Sequence, residues 1–173
     1  DVPKGHFAKL RKDLLQVVLV CDRYSAYKSL ALGCEELILA FCWAHVRRDF
    51  LKAARSWPEL ERWMFTWVDD IRELYRLNAA RLKQWDKQLP LDQQSSAFAE
   101  SHCALKTKRG ERQERCETHL QEPELHLAKQ KVLSSLQNHW AGLTVFVTRP
   151  EVAMDNNTAE RILRNPVVGR KTY

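Results

Sequence analysis

LLQVVLVC, residues 14–21, followed at once by Asp22, is the stretch on which the fold turns. Eight residues dominated by Val and Leu are short for a core helix and too uniformly apolar for a strand with one wet face. Such a run predicts a strand covered on both faces, as in a parallel sheet. Lys12-Asp13 bounds it on one side and Asp22 on the other. RYSAYKSLAL, from Arg23, then reads as a short helix closed by Gly33. ELILAFC, residues 36–42, reads as a second strand. Strand, short helix, strand is a compact parallel unit.

Beyond Cys42 helical spacing takes over. WAHVRRDFLKAAR spans Trp43 to Arg55. Ser56, with Pro58 and Glu59 behind it, has the spacing of a capping box that restarts a helix. Leu60, Trp63, Trp67, Ile71, Leu74, Asn78, Leu82 and Trp85 then recur at steps of three and four. They form one apolar face with a single polar interruption, and such a face needs a partner to bury it. Pro90 ends that helix. A more polar region from Asp92 to Glu122 reads as helical with a loose connection near Gly110. Pro123 opens a further helix from Glu124 to about Val147, whose inner face is Leu127, Val132, Leu136, His139, Trp140 and Leu143, and Arg149-Pro150 breaks it.

Composition narrows the class. At 45% hydrophobic residues the chain can build an ordinary core, and five Gly with six Pro favour helix over loop. The net charge of +6 suits a phosphate backbone as partner. Two clusters concentrate it: Lys106 to Arg115, and Arg161, Arg164, Arg170 and Lys171. Five cysteines without a secretory pattern point to a reducing interior. No run reaches the eighteen or so apolar residues of a membrane span, and no signal peptide is visible.

Two carboxylates stand at element ends. Asp22 is where a strand delivers a side chain into the open, a position suited to holding a divalent cation or to capping the next helix. Glu160 lies in MDNNTAERILR, residues 154–164. With Asn157 as N-cap it is the third helical residue, where a carboxylate bonds back to the cap. It could equally hold a metal beside arginines that hold phosphates. Cys42/His45 and Cys116/His119 share a Cys-x-x-His spacing that a zinc site could use, although separate packing roles suit both pairs better.

CDRYSAYKSL (residues 21–30), CWAHVRRDF (42–50) and MDNNTAERILRNPVVGRK (154–171) together resemble the insertion-sequence-66 family of bacterial transposases. The three motifs occur in the family's order; residues from Trp57 to about Leu120 match it only in character. The resemblance implies an RNase H-like core of the DDE type, in which two Asp and one Glu hold two Mg²⁺ or Mn²⁺ ions for DNA cleavage and strand transfer. Carried over, Asp22 matches the second Asp and Glu160 the Glu. Asn156, Asn157, Arg161, Arg164, Arg170 and Lys171 fall on motif positions suited to DNA-backbone contact or support of the metal site.

The expected architecture is therefore α/β and mostly helical. It comprises a partial RNase H-like core of about two parallel strands (residues 1–55), a long helical insertion (56–148) and a return segment carrying Glu160 (149–173). Expected partners are the DNA of transposon ends and target, with a homo-oligomer possible, no membrane, and a bacterial cytoplasmic, nucleoid-associated setting. The first catalytic Asp of such cores lies on a strand upstream of those seen here, so the chain is expected to be an incomplete part of the enzyme and inactive alone. The alternative expectation is a non-enzymatic helical remnant that binds DNA or protein.

Overall fold

The computed structural model describes residues 16–23, 25–34 and 36–156. Strand β1 (Val17–Cys21), helix α1 (Ser25–Leu32) and strand β2 (Leu37–Phe41) follow in that order. The strands pair in parallel with Val17 opposite Leu37 and Cys21 opposite Phe41. The β-branched run thus forms the strand predicted for it. It is covered unevenly: Val17 to Val20 are half-buried, and Cys21 is buried.

Helix α2 (Trp43–Ser56) leaves β2 directly. Ser56 is its last residue and not the cap of the next helix, which corrects the capping-box reading. Pro58–Leu60 form a 3₁₀ turn with Pro58 in its first turn, and no side chain caps it. Helix α3 (Glu61–Lys83) buries Met64, Trp67, Val68, Ile71, Leu74, Asn78 and Arg81. Leu82 is exposed and Trp85 lies beyond the helix end. The buried face swings toward Arg81 because Asn78 is no gap in it: its side-chain oxygen accepts from Arg81 Nη2 at 2.6 Å.

Helix α4 (Ser96–Leu120) is capped by Ser95, whose hydroxyl accepts from the Phe98 amide, and it runs unbroken through Gly110. The loose connection expected there does not occur. A methyl group at Gly110 would meet nothing within 4 Å, so that site faces open space. The single helix expected from Glu124 to Val147 is instead α5 (Leu127–Asn138), α6 (Trp140–Leu143) and α7 (Val145–Thr148). His139 and Thr144 sit at the breaks. Leu127, expected inside, is 77% exposed at the first position of α5.

The breaks have a packing reason. Short helix α6 lies so close on β2 that a Cβ at Gly142 would stand 2.4 Å from Phe41 Cδ2 and 2.9 Å from the Leu39 carbonyl oxygen. A straight continuation of α5 would lose that seat. Trp43 Nε1 donates to the Leu143 carbonyl at 2.7 Å and its ring meets Trp140 edge-on. Phe50 stacks on Trp67, joining α2 to α3 in one core. Among the described residues no helix is long and apolar enough to cross a membrane.

Candidate active site

The carboxyl ends of both strands lie side by side, and the return segment meets them there. The Cys42 amide donates to the Cys21 carbonyl at 3.0 Å, closing the ladder one residue before Asp22. The next amide, Trp43, donates to the Met154 carbonyl at 2.9 Å. Met154 is itself buried. Residues 154–156, which begin the Asp-Asn-Asn motif, are thus brought to the strand edge from which Asp22 emerges half-buried.

Helix α3 fixes this return from the other side. Tyr75 hydrogen-bonds Asp155. Burial pushes the Tyr75 hydroxyl far above the usual tyrosine range, the Asp155 carboxylate adds to the rise, and Arg47 opposes it. Tyr75 therefore stays protonated and donates to Asp155. Six residues along α3, about 9 Å at 1.5 Å per residue, the wholly buried Arg81 holds the chain just upstream of the return. It donates to the Phe146 and Val147 carbonyls, both at 2.8 Å. The amide oxygen Oδ1 of Asn156 is buried with no hydrogen-bond partner among the described residues.

Of the site residues expected from sequence, Asp22 and Asn156 are described and come to this one edge. Asn157, Glu160, Arg161, Arg164, Arg170 and Lys171 lie outside the described residues. Sequence reading missed Tyr75 and gave Asp155 no role. Nothing in helical spacing marks a half-buried tyrosine as a tether for a segment eighty residues away.

The oxygen donors present suit a hard divalent cation. Asp22 supplies a carboxylate at the strand end and Asn156 a carbonyl oxygen that no described residue engages. Soft-metal ligation is disfavoured next door, because burial, with Asp22 and Cys42 adding, pushes the Cys21 thiol up to about 11. Among the described residues, no cluster of three or more His, Cys, Asp or Glu could hold a metal ion. The two Cys-x-x-His pairs are not drawn together either. Cys116 donates to the Leu133 carbonyl at 3.6 Å, and His119 pairs with Glu122 at 2.5 Å.

The basic cluster on α4 is largely spent within the fold. Arg112 reaches Asp70 at 2.7 Å and Glu73 at 3.5 Å on α3. Arg115 also pairs with Asp70 and lies 4.0 Å over the Trp67 ring. Arg109 sits over Trp140. These arginines tie helix to helix, which leaves them poorly placed as a free DNA-facing patch.

A parallel strand pair with a carboxylate at its carboxyl end, left through a helical array and rejoined at the same edge, defines an α/β protein with a strand-end acidic site. The chain belongs to the IS66 family of transposases: the family model described as Transposase IS66 family matches residues 3–173. The chain is also 22% identical, over 171 residues and 90% of its length, to the "Uncharacterized protein y4hP" of Sinorhizobium fredii (strain NBRC 101917 / NGR234). It spans about 29% of that relative's length. No solved structure matches it.

Proposed function

We propose that this chain forms part of an RNase H-like DDE catalytic core that cleaves DNA and transfers the cut strand in transposition, with Asp22 and Glu160 among its carboxylates. Membership of the transposase family supports the chemistry. The observation that carries the site is the Trp43–Met154 hydrogen bond, which seats the start of the Asp-Asn-Asn motif at the strand end bearing Asp22.

In this reading Asp22 and Glu160 hold Mg²⁺ or Mn²⁺, with Asn156 Oδ1 offering a further oxygen. The bound cations supply neutralisation of charge on the phosphodiester under in-line attack. Asp22 is fixed by the strand that precedes it, and Met154 and Asp155 by Trp43 and Tyr75, so Asp22 and Asn156 are held at this edge before DNA arrives. Arg161, Arg164, Arg170 and Lys171 would engage backbone phosphates and Asn157 would shape the turn.

The test is a strand-transfer assay on the transposase carrying this chain, with a labelled transposon-end oligonucleotide and Mg²⁺. Asp22→Asn and Glu160→Gln are each expected to reduce product to background while DNA affinity is kept. Product formation by either variant at the unaltered rate would refute the assignment, and a chain that binds DNA but never cleaves it would support the non-enzymatic reading instead.

A further inference from the structure

A cleft of about 410 Å³ opens between α2 and α5, lined by Asp49, Lys52, Ser56, Trp57, Lys131 and Ser135 among others. Its volume falls in the range of real ligand sites. Arg23, the residue after Asp22, closes one end: its guanidinium donates to Ser135 Oγ at 2.7 Å and pairs with Asp49. The carboxylate in the cleft is thereby neutralised. Lys52 and Lys131 stand exposed on opposite walls, with no ion pair among the described residues. At the far end Trp57 is 43% exposed and meets His126 edge-on at 4.7 Å. From Asp49 to Ser56, the residue before Trp57, is about 10 Å of helix.

Two free cations facing each other call for an anion, and an exposed indole beside them calls for a flat apolar partner. A nucleic-acid strand offers both at once, a phosphate beside an unstacked base. A duplex keeps its base faces hidden and is too broad for a cleft walled by two helices. The cleft also begins at the neighbour of Asp22, so a strand lying in it would continue toward the proposed catalytic edge.

We propose that the α2–α5 cleft binds single-stranded DNA flanking the reacting phosphate, with Lys52 and Lys131 on the backbone and Trp57 as a stacking platform. This rests on the transposase reading given above for its choice of DNA as ligand.

The experiment is fluorescence anisotropy of a labelled oligothymidylate of about twelve nucleotides with the whole chain, across a salt series. Combined Lys52→Glu and Lys131→Glu should weaken binding by more than about tenfold. It should also flatten the slope of log affinity against log salt by about 1.4, at roughly 0.7 per phosphate contact. Trp57→Ala should cost roughly tenfold, and Trp57→Phe should restore most of it, because stacking needs only a π face. Unchanged far-UV circular dichroism excludes misfolding, which the exposure of all three side chains makes improbable. Unaltered affinity and slope in the double variant would overturn the proposal, as would equal binding of a duplex or equal competition by polyglutamate. Asp22→Asn separates this idea from the catalytic one. Binding that depends on the cleft in a protein that never cleaves DNA would leave the cleft standing and sink the catalytic reading. Cleavage that needs Asp22 but ignores the cleft variants would do the reverse.

Discussion

Replacing Arg81 with Met should destabilise the protein by about 3 kcal/mol. Its guanidinium is wholly buried and makes no carboxylate salt bridge among the described residues; burial lowers its pKa to about 10, with the Glu151 charge opposing, so it stays charged at neutral pH. It donates to the carbonyls of Phe146 and Val147 and to Asn78 Oδ1. Removing it leaves three buried acceptors unpaired, at about 1–3 kcal/mol each. Relief from burying a charge returns several kcal/mol of the gross loss, which sets the net near the lower end of that sum. Urea unfolding followed by tryptophan fluorescence reads the change, and an unaltered m-value shows that the same surface is still exposed. Arg81→Lys should recover less than half, since an ammonium cannot reproduce the planar fork. Asn78→Ala combined with Arg81→Met should show a coupling of about 1 kcal/mol. A midpoint that is unchanged or raised in Arg81→Met would mean that the buried charge costs more than its bonds contribute. The idea that Arg81 braces the return segment would then fail.

Gly142→Ala should lower stability by about 1–3 kcal/mol, because the new methyl collides with the Phe41 ring and the fixed Leu39 carbonyl; thermal unfolding checks it, and no loss would mean α6 can lift off β2 freely. Asp70→Asn should cost about 2 kcal/mol and leave DNA affinity unaltered, since it strips Arg112 and Arg115 of their shared partner within the fold; a gain in affinity would show that the freed arginines reach DNA. His102 is held below its ordinary pKa by burial, then by Arg81 and Lys106. His139 is lowered mainly by burial, with Lys28 and Arg23 adding and a backbone bond to Ser135 opposing. Both bind fewer protons folded than unfolded below about pH 6.5, so stability is full above that pH and falls as the solution is acidified toward the folded values. Melting temperatures between pH 7.5 and 5 should drop, and His102→Gln should flatten part of the drop.

Much of the architecture is legible in local pattern. A β-branched run between charged residues can satisfy its backbone and bury its side chains only by pairing, which foretells β1, its parallel partner and Asp22 at the end. Spacing of three and four places Trp67, Ile71 and Leu74 on the buried face of α3. Several of the misjudged features are settled by a distant neighbour. Leu82 looks like the continuation of that face, yet Arg81 takes the interior because the Phe146 and Val147 carbonyls wait there. The segment from Glu124 to Val147 reads as one helix, yet it breaks at His139 and Thr144, where α6 seats Gly142 against Phe41. The arginines of α4 read as a solvated basic face until Asp70 and Glu73 are seen across from them. The motif around Asp155 reads as a helix start by its residue types alone and becomes a candidate site only through the family resemblance. That it reaches the strand end depends on one amide of Trp43 and one hydroxyl of Tyr75, contacts between residues far apart in the chain that no window of sequence contains.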